Sequence, residues 1–167
     1  MNYYRKVKAN EVDDVKRDIA AEAVKLARKE LSLPALEVRW FKLTDELMAM
    51  LDKACKKFAG ADRITFEDEV SIGGKVHPFG MKLGGKSSGW KAPYIELSAE
   101  VPTSGIAFSA LHECAHLADF RDGVIDPASL KTRDGVVHAE KRANDFANRF
   151  AWHVNRLFQP GPAEKRR

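Results

Sequence analysis

Two histidines and a glutamate occur in the spacing H-E-x-x-H, at His112, Glu113 and His116. In an α-helix, residues four apart lie on one face, so both imidazoles can bind a single metal ion. The glutamate between them can then take a proton from water and later give it to a leaving amine. A hydrolytic Zn²⁺ site has three protein ligands and one open position, so the pattern predicts a zinc site that needs one further ligand.

The residues around this motif predict a helix over 106–120 that is too apolar to lie on the protein surface. Burying two histidines and a glutamate in such a helix is costly unless they have a partner. We therefore favour a metal site over the simpler interpretation, in which two partly buried histidines bond to the backbone.

The longer pattern H-E-x-x-H-x-x-G-x-x-H/D would place the third ligand at Asp122. That pattern needs a glycine where Asp119 stands, and it also needs a methionine turn further along the chain. The last methionine is Met81, so both requirements fail. The third ligand is therefore sought in the final helix.

This helix, predicted over 137–158, offers two candidates, His138 and Glu140. At about 100° per residue, Glu140 lies within about 20° of Ala147 on the apolar face, and His138 lies about 180° from it. We favour Glu140, because an acid on an apolar face calls for a cation, and keep His138 as the alternative. Asn144, one turn after Glu140, is either an orienting hydrogen bonder or an ordinary helix asparagine. The apolar face comprises Ala143, Phe146, Ala147, Phe150, Ala151, Val154 and Leu157.

Three segments resemble the ImmA/IrrE metallopeptidases, which have a strand, an F-T-L-A-H-E-L-G-H helix and an E-x-x-A-N-x-F-A helix. The matching segments here are I-E-L at 95–97, F-S-A-L-H-E-C-A-H-L at 108–117 and E-x-x-A-N-x-F-A at 140–147. The resemblance covers about 94–151. Two departures stand out: Ala115 replaces the usual glycine, and W-H-V-N replaces the L-L-M-P pattern at the helix end.

This resemblance implies a zincin-like fold in which His112, His116 and Glu140 hold Zn²⁺ and Glu113 is the general base. It also implies cleavage of a specific protein, such as a repressor or another regulator of a mobile element. One alternative is a SprT-like protease, which would act on DNA-associated proteins and use His138 as its third ligand. A second alternative is a non-catalytic zinc-binding regulatory protein, although a structural zinc site has no need for Glu113.

The remaining elements indicate an α+β fold in which a helix and a small sheet precede the two site helices. Asn10 is expected to cap the first helix. The glycine-rich stretch contains the phosphate-loop pattern at Gly80, Gly85, Lys86 and Ser87, but no helix can open behind it, so we expect a hairpin turn. The predicted elements are helices over 11–31 and 45–58 and strands over 36–40, 64–67, 76–82 and 94–98.

The chain has 167 residues, enough for one domain with a core of its own. We predict a single domain over 1–158 and a flexible tail over 159–167. No membrane span or secretory signal is evident, and two cysteines are too few for a disulfide framework, so the expected compartment is the cytoplasm. The net charge of +4 permits a nucleic-acid partner without arguing for one. The sequence carries no signal for an oligomeric state.

Overall fold

A computed structural model of the chain describes residues 4–46, 49, 74–76, 93–126 and 128–159. Within these ranges three α-helices pack with a four-stranded sheet, which confirms the α+β class. None of the helices found there is both long and apolar enough to cross a lipid bilayer. The helices are α1 (Asp14–Leu31), α2 (Thr103–Arg121) and α3 (Arg133–Arg156); the strands are β1 (Tyr4–Val7), β2 (Glu37–Leu43), β3 (Gly74–Val76) and β4 (Tyr94–Ser98).

The sheet has the strand order β1-β2-β4-β3. Its central pair, β2 and β4, is parallel, and each outer strand pairs antiparallel with its neighbour. Sequence analysis predicted β4 with the observed bounds, but its prediction of β2 over 36–40 ends three residues before the observed end at Leu43. It missed β1, because an edge strand of Tyr, Arg, Lys and Val lacks the alternation of a half-buried strand.

The first helix begins later than its sequence indicated. The chain forms a 3₁₀ turn over Ala9–Glu11 and is extended at Val12, so α1 starts at Asp14 with Asp13 in the capping position. The predicted cap at Asn10 is therefore wrong. Asn10 lies inside the 3₁₀ turn, so it cannot occupy the capping position of an α-helix. The buried face of α1 begins further along the chain, at Ile19.

Helix α2 forms the centre of the molecule. All of its residues from Ala110 to Asp119 are buried, which confirms the prediction that this helix is not a surface helix. It contributes to a core shared with the sheet and with both other helices. Members of this core from the three helices and the sheet include Ile19, Trp40, Ile95, Leu97, Ile106, Leu111, Leu117, Ala147 and Val154.

Helix α3 starts at Arg133, four residues before the predicted start at Val137. The Thr132 side chain caps it by accepting a hydrogen bond from the Gly135 backbone N–H at 3.0 Å. A Cβ on Gly135 would lie 1.7 Å from the Ser129 carbonyl oxygen, so only glycine allows the preceding 3₁₀ turn, Ser129–Lys131, to approach so closely.

Several predictions concern residues outside the described ranges. They are nearly all of the helix over 45–58, the strand over 64–67, most of the strand over 76–82, the glycine-rich pattern from Gly80 to Ser87, and the end of the tail over 160–167. Residues 74–76, which precede the glycine-rich pattern, form β3.

Candidate metal centre

Three side chains from two helices converge on one point. The Nε2 atoms of His112 and His116 lie 3.1 Å apart. Glu140 Oε2 lies 2.9 Å from His112 Nε2, and Glu140 Oε1 lies 3.0 Å from His116 Nε2. The two histidines come from successive turns of α2, and Glu140 comes from the second turn of α3. These three residues form a group of potential metal ligands, as the spacing and the helical phase predicted.

The spacing of these atoms fits a metal ion better than it fits hydrogen bonding alone. Ligand atoms about 2.0–2.1 Å from a tetrahedral Zn²⁺ lie roughly 3.3 Å from each other, close to the separations seen here. Without a metal, the two Nε2 atoms face each other at 3.1 Å while both face the same carboxylate. One nitrogen cannot satisfy the other if both donate to Glu140, whereas one cation satisfies all three groups.

Burial and charge strengthen the case for a cation. His112 and His116 are 8% and 6% exposed, and Glu140 is 8% exposed. Burial raises the pKa of the Glu140 carboxyl, but hydrogen bonds from both histidines, together with their charges, lower it to about 2. Glu140 is therefore an anion at neutral pH, enclosed with two nitrogen ligands, and this donor set suits a divalent transition metal.

Neighbouring side chains fix the orientation of the histidine rings. Phe108, one turn before His112, stacks near its ring with a centroid distance of 6.0 Å and an interplanar angle of 28°. The rings of His112 and His116 meet edge to face, with centroids 4.6 Å apart. The Nδ1 atoms of both histidines are buried, and neither forms a hydrogen bond with any residue that the structure describes. Their Nε2 atoms are thus the ones that face the shared centre.

Two other residues of the motif are buried beside the histidines. Glu113 is 2% exposed and is not part of the ligand group. Cys114 is fully buried, and burial, with the negative charge of Glu113, raises the pKa of its thiol. A buried thiol with a raised pKa forms little reactive thiolate, so Cys114 is a packing residue.

The alternative ligand, His138, is exposed to solvent and lies outside the ligand group. Asn144 is half-buried and makes no hydrogen bond to the candidate ligands. Tyr94 is the first residue of β4, and the Arg39 guanidinium lies over its ring, 3.6 Å from the centroid. Because side chains alternate along a strand, it faces away from Ile95, which belongs to the core.

One pair of site residues was not predicted from the sequence. Asp119, three residues after His116, accepts two hydrogen bonds from Arg142, two residues after Glu140. Asp119 follows His116 by about one turn, so the sequence allowed it either as a partner of a ligand or as a polar residue at the helix end, and it gave Arg142 no role. An acidic residue on a helix predicted to be buried could have indicated that Asp119 has a partner. The identity of this partner depends on tertiary packing, because Arg142 lies on another helix.

Comparison with known proteins gives no family assignment. The chain has no significant match among protein-family models, curated proteins or solved structures. The resemblance to the ImmA/IrrE metallopeptidases therefore depends on the motifs, and the function must be argued from the site itself.

Proposed function

We propose that this protein is a zinc-dependent peptidase in which His112, His116 and Glu140 hold Zn²⁺. The observation that supports it most is the approach of three ligand atoms from α2 and α3 to within 2.9–3.1 Å of each other. The exposed position of His138 on the same helix favours Glu140 over it as the third ligand. The proposed fold is zincin-like, with the ligands on the buried motif helix and on the following helix.

The nitrogen and oxygen donors match the ligand preferences of zinc. Bound zinc would supply Lewis acidity, which lowers the pKa of a bound water to about 7 and polarises a peptide carbonyl. Two histidines and one carboxylate leave a fourth position open, which distinguishes this donor set from a closed structural site. Iron and manganese also accept such donors, so the identity of the metal is part of the proposal.

Glu113 is the proposed general base. It follows a ligand directly, and its carboxylate is not one of the clustered ligand atoms. Its carboxylate oxygen would take a proton from the attacking water and deliver it to the leaving amine nitrogen. Glu113 is 2% exposed, so its carboxylate is shielded from bulk solvent.

The proposed substrate is a specific protein. This part of the proposal follows from the motif resemblance, in which a repressor or another regulatory protein is cut at one bond. The proposed compartment is the cytoplasm, and direct nucleic-acid binding is not part of the proposal.

A metal-dependence experiment tests the proposal. The purified protein should contain about one Zn²⁺ per chain. It should cleave peptide bonds in a protein mixture or a candidate repressor, lose this activity with a chelator and recover it with added Zn²⁺. Metal analysis that finds no transition metal, even after zinc is supplied, would remove the basis of the proposal. Zinc binding without hydrolysis would instead favour a zinc-binding regulatory protein.

A further inference from the structure

The two helices that carry the candidate ligands are joined by a buried acid and a base. Asp119 lies in the last turn of α2 and accepts two hydrogen bonds from Arg142. Arg142 Nε donates to Asp119 Oδ2 and Arg142 Nη2 donates to Asp119 Oδ1, each at 2.9 Å. The Asp119 side chain is 10% exposed and that of Arg142 is 45% exposed. A paired contact between guanidinium and carboxylate fixes orientation as well as distance, which a single hydrogen bond does not.

Metal binding by these helices depends on their axial register. One residue of helix rises about 1.5 Å, whereas ligand distances tolerate only about 0.2 Å. A slide of α3 along α2 by a small fraction of a residue would therefore take Glu140 out of bonding distance. The register must be held by contacts between the helices.

Beside the candidate ligands, apolar packing provides weak control of this register. Near Glu140 the buried face of α3 consists of alanines at every fourth position, Ala139, Ala143 and Ala147, whereas larger apolar side chains such as Val154 pack further along the helix. Helix α2 also buries alanines on either side of His116, at Ala115 and Ala118. Methyl groups allow the helices to approach closely but interdigitate less than larger side chains, so they oppose sliding less.

Polar contacts are thus expected to set the register, and Asp119–Arg142 is well placed to do so. The helices run antiparallel, since Asn155 Nδ2 near the end of α3 donates to the Ser104 carbonyl near the start of α2 at 3.4 Å. That contact is long and lies fifteen residues from Glu140. The Asp119–Arg142 pair lies within one turn of His116 and within one turn of Glu140.

The position of Asp119 also argues against a purely local role in α2. A carboxylate in the last turn of a helix opposes the helix dipole, and burial adds a desolvation cost. Any favourable contribution of Asp119 to the folded structure must therefore come from its contact with α3.

We propose that the Asp119–Arg142 ion pair is a positioning element of the metal centre. It sets the register of α3 against α2 and so holds Glu140 opposite His112 and His116. Both are positioning residues, because neither belongs to the ligand group. The inference depends on the proposed function, since it requires those three residues to bind a metal.

The test measures metal binding by the full chain, independently of hydrolysis. Zn²⁺ affinity is measured by competition with a chromophoric chelator, and the visible spectrum of bound Co²⁺ reports the coordination geometry. Arg142→Gln should lower Zn²⁺ affinity about 10- to 100-fold, the usual effect of losing a group that orients a ligand. It should also change the Co²⁺ spectrum. Arg142→Lys keeps the charge but not the paired geometry, so it should recover part of the affinity.

The matched control is Lys141→Gln. Lys141 is the neighbouring residue and also pairs with a carboxylate, Asp145, at 3.1 Å, but that contact lies within α3. This variant should keep its Zn²⁺ affinity within about twofold. If Arg142→Gln does not fold, the double variant Asp119→Asn/Arg142→Gln, which leaves no unpaired buried charge, is measured in its place.

Two results would overturn the inference in different ways. Unchanged Zn²⁺ affinity and an unchanged Co²⁺ spectrum in the Arg142 variant, even with a lower thermal midpoint, would show a structural ion pair without a positioning role. The proposed function would be unaffected by that result. A parent protein that binds neither metal would overturn both proposals. Strong metal binding without hydrolysis would remove only the catalytic proposal.

Discussion

Glu140 Oε1 lies 3.0 Å from His116 Nε2, although the two residues are 24 positions apart on different helices. The contact joins α2 to α3 at the point where His112 also reaches Glu140. Two turns of one helix and one turn of the next thus create a single buried centre. Most of the chemistry proposed for this protein depends on that convergence.

We first expect zinc to stabilise the folded protein through these three residues. Zinc at 100 times its dissociation constant adds about 2.7 kcal/mol to the free energy of unfolding. This corresponds to a rise of roughly 5–10 °C in the thermal midpoint of a chain of this size. Glu140→Ala should abolish the rise, because it removes one of the three ligands.

His138→Ala is the matched control for this measurement. His138 lies two residues from Glu140 on the same helix but is exposed. The thermal midpoint of this variant should rise with zinc as in the parent. A zinc response that is lost in His138→Ala and kept in Glu140→Ala would transfer the third ligand to His138 and favour the SprT-like alternative.

The metal-free protein should lose stability in acid partly through Glu140. The pKa of this carboxyl falls from 4.5 in the unfolded chain to about 2 in the folded protein. Its contribution is therefore present above pH 4.5 and is lost as the pH falls towards 2. The full shift corresponds to at most about 3 kcal/mol, because solvent screens part of the interaction.

Urea unfolding of the chelator-treated protein between pH 7 and pH 3 measures this effect. The free energy of unfolding should fall more steeply for the parent than for Glu140→Gln. Glu30→Gln removes an exposed carboxylate at the end of α1 and should follow the parent curve. Parallel curves for the parent and Glu140→Gln would contradict the prediction.

Sequence analysis found the site because its signals are local. The spacing of His112 and His116 is a property of one helix, and Glu140 is marked by its phase on the apolar face of another. The Asp119–Arg142 contact has no such signal, since it depends on how far α3 is displaced along α2. The start of α3 was misjudged for a different reason: glycine is a poor helix former, but Gly135 is required in the first turn by the close approach of the preceding 3₁₀ turn at Ser129.

Gly135→Ala should destabilise the protein by about 2 kcal/mol or more, because its Cβ would overlap a backbone oxygen. The nearest distance, 1.7 Å to the Ser129 oxygen, requires the backbone to move, and the Thr132 cap would be lost with it. Gly123→Ala is a useful comparison, since Gly123 has open space around it and a φ of 72°. It should cost only about 1–2 kcal/mol, the penalty for a left-handed backbone. Chemical denaturation gives both values, and equal costs would contradict the steric argument.

Cys114 should resist alkylation in the folded protein. Its thiol is fully buried, and burial raises its pKa, so little reactive thiolate forms near neutral pH. Iodoacetamide followed by peptide mass analysis should show Cys114 labelled in denaturant and protected without it. Labelling of Cys114 in native buffer at the rate of a free thiol would contradict the burial of this face of α2.

Glu113→Gln separates metal binding from catalysis. The substitution preserves shape and nearly preserves volume, and Glu113 does not belong to the ligand group, so zinc content and thermal midpoint should match the parent. A glutamine cannot accept a proton from water, so peptide hydrolysis should fall by on the order of 10²-fold or more. Glu140→Ala should lose zinc and activity together, which makes it the contrasting variant. The three measurements are zinc content, thermal midpoint and cleavage rate on one protein substrate. Cleavage by Glu113→Gln at the parental rate would exclude Glu113 as the general base, whatever metal the protein binds.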